Sequence, residues 1–160
     1  MLLTETSQLK KGLMALGAIT LTVIVGITIV FAIMSVMGPK FDSESKKFVE
    51  ETVPIICSSW NYQDLTCRAS TELLNSASDE DFKLVFKNFS EKLGHLKKHK
   101  VSAGEARIGF FIQNGKVVTA DYIVDAEFDK GPATIHIRLI KRGDKWQYKQ
   151  FFINSPAFIR

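Results

Sequence analysis

From Gly12 to Met37 the chain reads GLMALGAITLTVIVGITIVFAIMSVM, without a charged residue. A helix rises about 1.5 Å per residue, so a run of this length crosses a hydrocarbon core of about 30 Å with some tilt. The sequence therefore predicts a transmembrane helix over 12–37. A cleavable signal sequence has an apolar region of only about 7 to 15 residues closed by a small-x-small site, and the run meets neither condition. Thr20, Thr22 and Thr28 can bond back to their own helix, and no ionisable group within the run marks an ion or proton path. The segment reads as an anchor. Lys10 and Lys11 abut one end, while Lys40, Lys46 and Lys47 lie beyond the other, mixed with Asp42 and Glu44. That balance leans towards a cytoplasmic tail over 1–11, a linker over 38–42 and an extracytoplasmic domain over 43–160.

The remainder of the 160 residues suffices for one domain. With 46% hydrophobic and 24% charged residues, the chain is too apolar for disorder. Its net charge of +4 is spread along the sequence with no arginine-rich arm, which argues against a nucleic-acid partner.

Gly38 and Pro39 form a helix-breaking pair after the anchor. Val49, Val53, Ile56 and Trp60 then recur at helical spacing, with a kink or restart expected at Pro54. Asn61 offers a cap for a second, broken helical piece through Leu65, Ala69 and Leu73. Ser78 and Asp81 form a capping box for a longer helix whose stripe is Phe82, Val85, Phe86, Phe89 and Leu93, ended by Gly94.

From about Ala106 the apolar period becomes two, over Ala106 to Ile112, Val118 to Phe128 and Ala133 to Leu139. A three-residue loop, Gln113 to Gly115, pairs Phe110 with Val118 and Ile108 with Ala120. The connection Asp129 to Pro132 pairs Ala126 with Ile135 and Val124 with Ile137, and sets Asp125 opposite His136 and diagonal to Arg138. Gly143-Asp144 makes the last turn. A bulge near Lys149 and Gln150 brings Trp146, Tyr148, Phe151 and Ile153 to one side. The expected fold is α+β: a transmembrane helix, then helices packed on a curved four-stranded antiparallel sheet.

This order resembles the nuclear transport factor 2-like (cystatin-like) superfamily. The resemblance is carried by Trp60-Asn61, Ala69 to Leu73, Phe89 to Gly94, Gly131 to Ile135, and the closing run from Leu139 through Trp146 to Pro156. It resembles more narrowly small bacterial single-pass proteins that carry such a domain behind one membrane helix, which implies a bacterial cytoplasmic (inner) membrane with a periplasmic domain. An assembly subunit of type IV secretion systems has a similar layout, an analogy of architecture alone.

Some members of that superfamily perform acid–base chemistry with a carboxylate or histidine inside the cone. Here the inward positions supply Tyr122 and Tyr148 but no Asp, Glu or His, so a non-enzymatic role is expected. Phe110, Tyr122, Trp146 and Tyr148 are the candidates for lining a small apolar ligand. On the opposite face Ile123 and Ile140 are apolar intruders among Asp125, Arg138 and other charges, either part of a solvated face or a surface for a homodimer or protein complex.

His95, Lys97, Lys98, His99 and Lys100 read as a loop or a lysine-protected edge strand, the competing reading being a contact for anionic lipid or an acidic partner. No metal and no cofactor is implied, since no carboxylate or cysteine sits at ligand spacing beside the histidines. Cys57 and Cys67 are either bridged or both buried thiols, and their spacing is not that of a redox motif. The expected function is a membrane-anchored accessory domain that binds a protein partner, itself or a small apolar ligand. The alternatives are a structural part of an envelope assembly or secretion complex and an isomerase-like enzyme.

Overall fold

The computed structural model describes residues 2–111 and 115–159, and within them all side chains except those of 2–16, 18, 33–37, 110, 111, 115 and 116. The chain divides into two compact units, Met1–Met37 and Gly38–Arg160.

The first helix, α1, runs over Leu2–Ser59. In the first unit its apolar side chains from Ile19 to Phe31 are 50–71% exposed on every side of the helix. Thr28 donates to the Ile24 carbonyl at 2.7 Å, so its hydroxyl is satisfied within the helix. Among the described residues no helix is long and apolar enough to cross a membrane. The expected span 12–37 falls in part on side chains outside those described.

The expected linker at 38–42 is a correction: the backbone there is helical, and α1 passes through both Pro39 and Pro54. A proline inside a helix costs about 3 kcal/mol. In the second unit that cost is opposed by burial of residues that follow Pro39 and flank Pro54, with Phe41, Ser45, Val49, Val53, Ile56 and Cys57 all inside the core.

Asn61 caps α2, Tyr62–Thr66, by accepting from the Gln63 amide. Ser70 caps the single turn α3, Thr71–Leu74. Ser78 and Asp81 form the reciprocal capping box of α4, Asp79–Leu93. Phe82, Phe86 and Leu93 of its stripe are buried, whereas Val85 is exposed. Gly94 ends the helix at φ 78°, a conformation that favours glycine.

Four antiparallel strands follow in the order β1-β2-β3-β4: Leu96–Phe111, Gly115–Phe128, Gly131–Arg142 and Lys145–Asn154. The protein is thus α+β, with helices packed on a four-stranded antiparallel sheet. β1 begins earlier than the period-two pattern indicates, because the basic run Lys97 to Lys100 is part of this edge strand.

Both predicted hairpin registers are displaced by two residues. Ile108 pairs with Val118 and Ala106 with Ala120, so Gly115 belongs to β2 and Gln113 and Asn114 lie outside the described residues. Val124 pairs with Ile135 and Ala126 with Ala133, across a turn of Asp129 and Lys130 alone. Asp125 therefore faces Thr134, and the expected Asp125–His136 pair is replaced by Asp121 beside Arg138. The physical reason is that alternation fixes only which face a residue occupies, and a slip of two keeps every face. In β4, Arg138 pairs with Gln150 and Leu139 with Tyr148, which leaves Lys149 as the extra residue of a bulge.

The core lies between the helices and one face of the sheet. Trp60 is central to it, stacked on Phe128 at 5.5 Å, beside Phe86 and Phe89, and donating Nε1–H to the Gly94 carbonyl at 2.7 Å. Val118, Ala120, Tyr122, Val124, Ala126 and Phe128 of β2 are all buried, as are Ala133, Ile135, Ile137 and Leu139 of β3.

Candidate functional site

The inward tyrosines are held by hydroxyls of α1. Tyr148 Oη lies 2.5 Å from Thr52 Oγ1, and Thr52 in turn donates to the Phe48 carbonyl at 2.6 Å. Tyr122 Oη lies 2.9 Å from Ser45 Oγ and donates to the Asp42 carbonyl at 3.2 Å, while Ser45 donates to Phe41 O at 2.7 Å. Since each α1 hydroxyl gives its own proton to a helix carbonyl, the phenol protons are committed to the α1 oxygens. Burial raises both phenol pKa values above the ordinary 10, so both stay neutral at physiological pH.

The other ligand-pocket candidates are distributed differently. Trp146 is buried under the Lys141 ammonium, 5.4 Å from its ring centroid, with its side chain beside the Glu44 carboxylate. The Phe110 side chain lies outside the described residues. Tyr122, Trp146 and Tyr148 are thus buried core side chains. Among the described residues the buried polar side chains are four hydroxyls, Ser45, Thr52, Ser70 and Ser155.

Beside this core, Lys141 reaches Glu44 at 2.5 Å and lies over the Phe41 ring at 5.2 Å. The hydrogen bond from Lys141 holds the Glu44 carboxyl below its ordinary range. This ion pair at the rim of the core binds α1 to β3.

The sheet's other face carries a groove of about 860 Å³ that crosses all four strands. Its floor includes Ile123, 37% exposed, and Phe152, 54% exposed. Around them stand Arg138 paired to Asp121 at 2.6 Å, Arg107 paired to Glu105 at 2.7 Å, and His136, whose ring centroid lies 6.4 Å from that of Phe152. The predicted partner-surface residues are brought together only in part. Ile123 and Arg138 line this groove, whereas Asp125, though exposed, is not among the residues that do. Ile140 is a correction: it is 6% exposed and so no surface anchor, flanked across the strands by Thr119 and Gln147.

Sequence reasoning missed Phe152. The signal was available, because a bulge that returns Phe151 and Ile153 to the core necessarily sends the aromatic residue between them outward.

Cys57 and Cys67 are free thiols, the first buried and the second exposed. Burial pushes the Cys57 thiol up to about 12. The basic run is anchored rather than loose: His95 Nδ1 lies 3.2 Å from Asp129 Oδ2, and Lys97 Nζ lies 3.4 Å from Asp129 Oδ1.

No protein-family model matches the chain, and no curated protein is significantly similar to it.

Proposed function

We propose that this chain is a membrane-anchored, non-catalytic binding protein whose folded unit docks a partner protein through the outer face of its sheet. In this reading the 12–37 helix is the anchor, in a bacterial cytoplasmic membrane, with the second unit on the periplasmic side. The uncharged run from Gly12 to Met37 supports the anchor, as do the side chains from Ile19 to Phe31 standing exposed along it. Apolar side chains of that size gain about 1.5–3 kcal/mol each when removed from water, and a bilayer removes them all. The order of helices followed by a four-stranded antiparallel sheet supports our assignment of the domain to the nuclear transport factor 2-like superfamily.

The observation that carries the docking reading is that Ile123 and Phe152, exposed apolar side chains on either side of His136, line one groove with the ion pairs Arg138–Asp121 and Arg107–Glu105. An apolar centre with a charged rim is how protein interfaces are built. Both inward tyrosine hydroxyls are taken up by α1, which favours binding at the surface.

The test is to isolate the full chain from its native membrane after an alkaline carbonate wash, then purify it in mild detergent. The expected result is a chain retained in the membrane fraction and co-eluting with a second protein, which the Ile123→Asp variant loses. Release by carbonate contradicts the anchor. Elution alone, or a partner retained by Ile123→Asp, contradicts docking on this face.

A further inference from the structure

β4 lies at one side of the sheet, so one row of its main-chain donors and acceptors faces away from β3. At Tyr148 the chain itself uses that row. Tyr148 N–H donates to the Arg68 carbonyl and Ser70 N–H donates to the Tyr148 carbonyl, both at 2.8 Å, forming a parallel bridge between Ala69 and Tyr148. The covering segment then turns into α3 at Thr71, and the β4 edge runs on through 150–154 beyond it.

Two hollows flank that stretch on opposite faces of the sheet. On the helix side, a groove of about 500 Å³ lies between α4, β4 and the 3-10 turn Pro156–Phe158, walled by Val85, Phe89, Phe151 and Phe158. On the other side is the groove with Arg138 and Asp121, which Gln150 also lines. Phe152 borders both.

A strand sends successive side chains to opposite faces. A segment laid along this edge thus places one set of side chains in the phenyl-walled groove and the alternate set over the charged outer face. We infer that the β4 edge from Gln150 to Asn154 is the docking site for an extended segment of the partner protein. That segment carries large apolar residues at every second position and polar or charged ones between. It is extended because the edge offers main-chain hydrogen bonds, and because residues 68–70 already bind the preceding part of the same edge in that way. The alternation is dictated by the unlike chemistry of the two hollows. The inference rests on the docking reading above and names what the partner presents.

The test uses the full chain in detergent micelles and a short synthetic peptide alternating leucine with threonine and lysine. Two comparison peptides are needed: one of the same composition in block order, and one N-methylated at alternate residues to remove one row of N–H donors. The expected result is that the alternating peptide binds and slows amide exchange over 150–154, whereas neither comparison peptide does either. Val85→Asp, at a position 42% exposed where the fold tolerates change, should weaken the alternating peptide about tenfold or more by placing a carboxylate against its apolar residues. Equal binding of the N-methylated peptide overturns strand addition, as does an absence of protection over 150–154. Protection that rises with protein concentration without peptide also overturns it, since the edge then belongs to a second copy. A peptide that fails while the native complex persists refutes only this inference. Loss of the complex in Ile123→Asp with peptide binding intact separates the two claims in the other direction.

Discussion

Tyr148 Oη and Thr52 Oγ1 meet at 2.5 Å inside the core, where strand β4 and helix α1 come together. The contact is asymmetric, because Thr52 has a second partner in the Phe48 carbonyl at 2.6 Å. Removing the phenol leaves threonine satisfied, whereas removing the threonine hydroxyl strands a buried phenol. A stranded buried donor costs about 1–3 kcal/mol. Thr52→Val should therefore destabilise the full chain by about that amount in denaturant titration followed by tryptophan fluorescence, and Tyr148→Phe by less. Equal losses would mean that the hydroxyl pair is not the interaction being read.

Glu44 and Lys141 give the fold an acid-sensitive joint. The hydrogen bond from Lys141 keeps the folded Glu44 carboxyl below its ordinary value of 4.5. Between those two values the unfolded chain binds the extra proton, so stability rises with pH there. The contribution is complete above about 4.5 and is lost as pH falls through the folded value. Glu44→Gln should flatten the acid limb of a stability–pH profile and leave its shape above pH 6 unchanged. An unaltered acid limb would contradict the pairing.

The two thiols should differ in reactivity. Cys67 is exposed, while Cys57 is buried with its thiol pushed up to about 12. Since the thiolate is the reactive form, a maleimide should label Cys67 alone in the folded chain and both residues after denaturation, as read by intact mass. Labelling of neither residue until a reductant is added would mean that the two are bridged.

Gly104 stands opposite Tyr122 in the first hairpin at φ 153°, and a Cβ there would collide with the Tyr122 ring and crowd the Asp121 carbonyl oxygen at 2.6 Å. The ring fills the space that any other residue would need. Gly104→Ala should cost about 1–3 kcal/mol through overpacking, and Tyr122→Phe in the same chain should not restore it, because the clash is with the ring. Wild-type stability in Gly104→Ala would show that the ring moves aside freely.

Much of this architecture was legible in the sequence because local chemistry signals it. Ser78 with Asp81 marked the start of α4, and the phase change between Tyr148 and Phe151 marked the bulge at Lys149. The registers were less legible. Alternation distinguishes inside from outside but is blind to a slip of two, which is why Asp121 rather than Asp125 sits by Arg138. Pro39 and Pro54 suggested breaks, yet α1 continues through both, with buried residues on either side of Pro54. Of the candidate surface, Ile123 and Arg138 were found from their place on the outer face. Phe152 was not, and Ile140 was placed outside when it is buried. Burial of an outward-facing residue depends on what covers it, which periodicity does not encode.

The proposed binding site lies outside the packed core, at Phe152. The most direct measurement places a photo-crosslinking amino acid at position 152 in the native membrane, with Asp144 in the last hairpin turn as the exposed control. The account predicts a protein adduct from 152 and none from 144. Equal adducts from both positions would contradict it, as would no adduct from 152 together with a small molecule retained against Tyr122 and Tyr148.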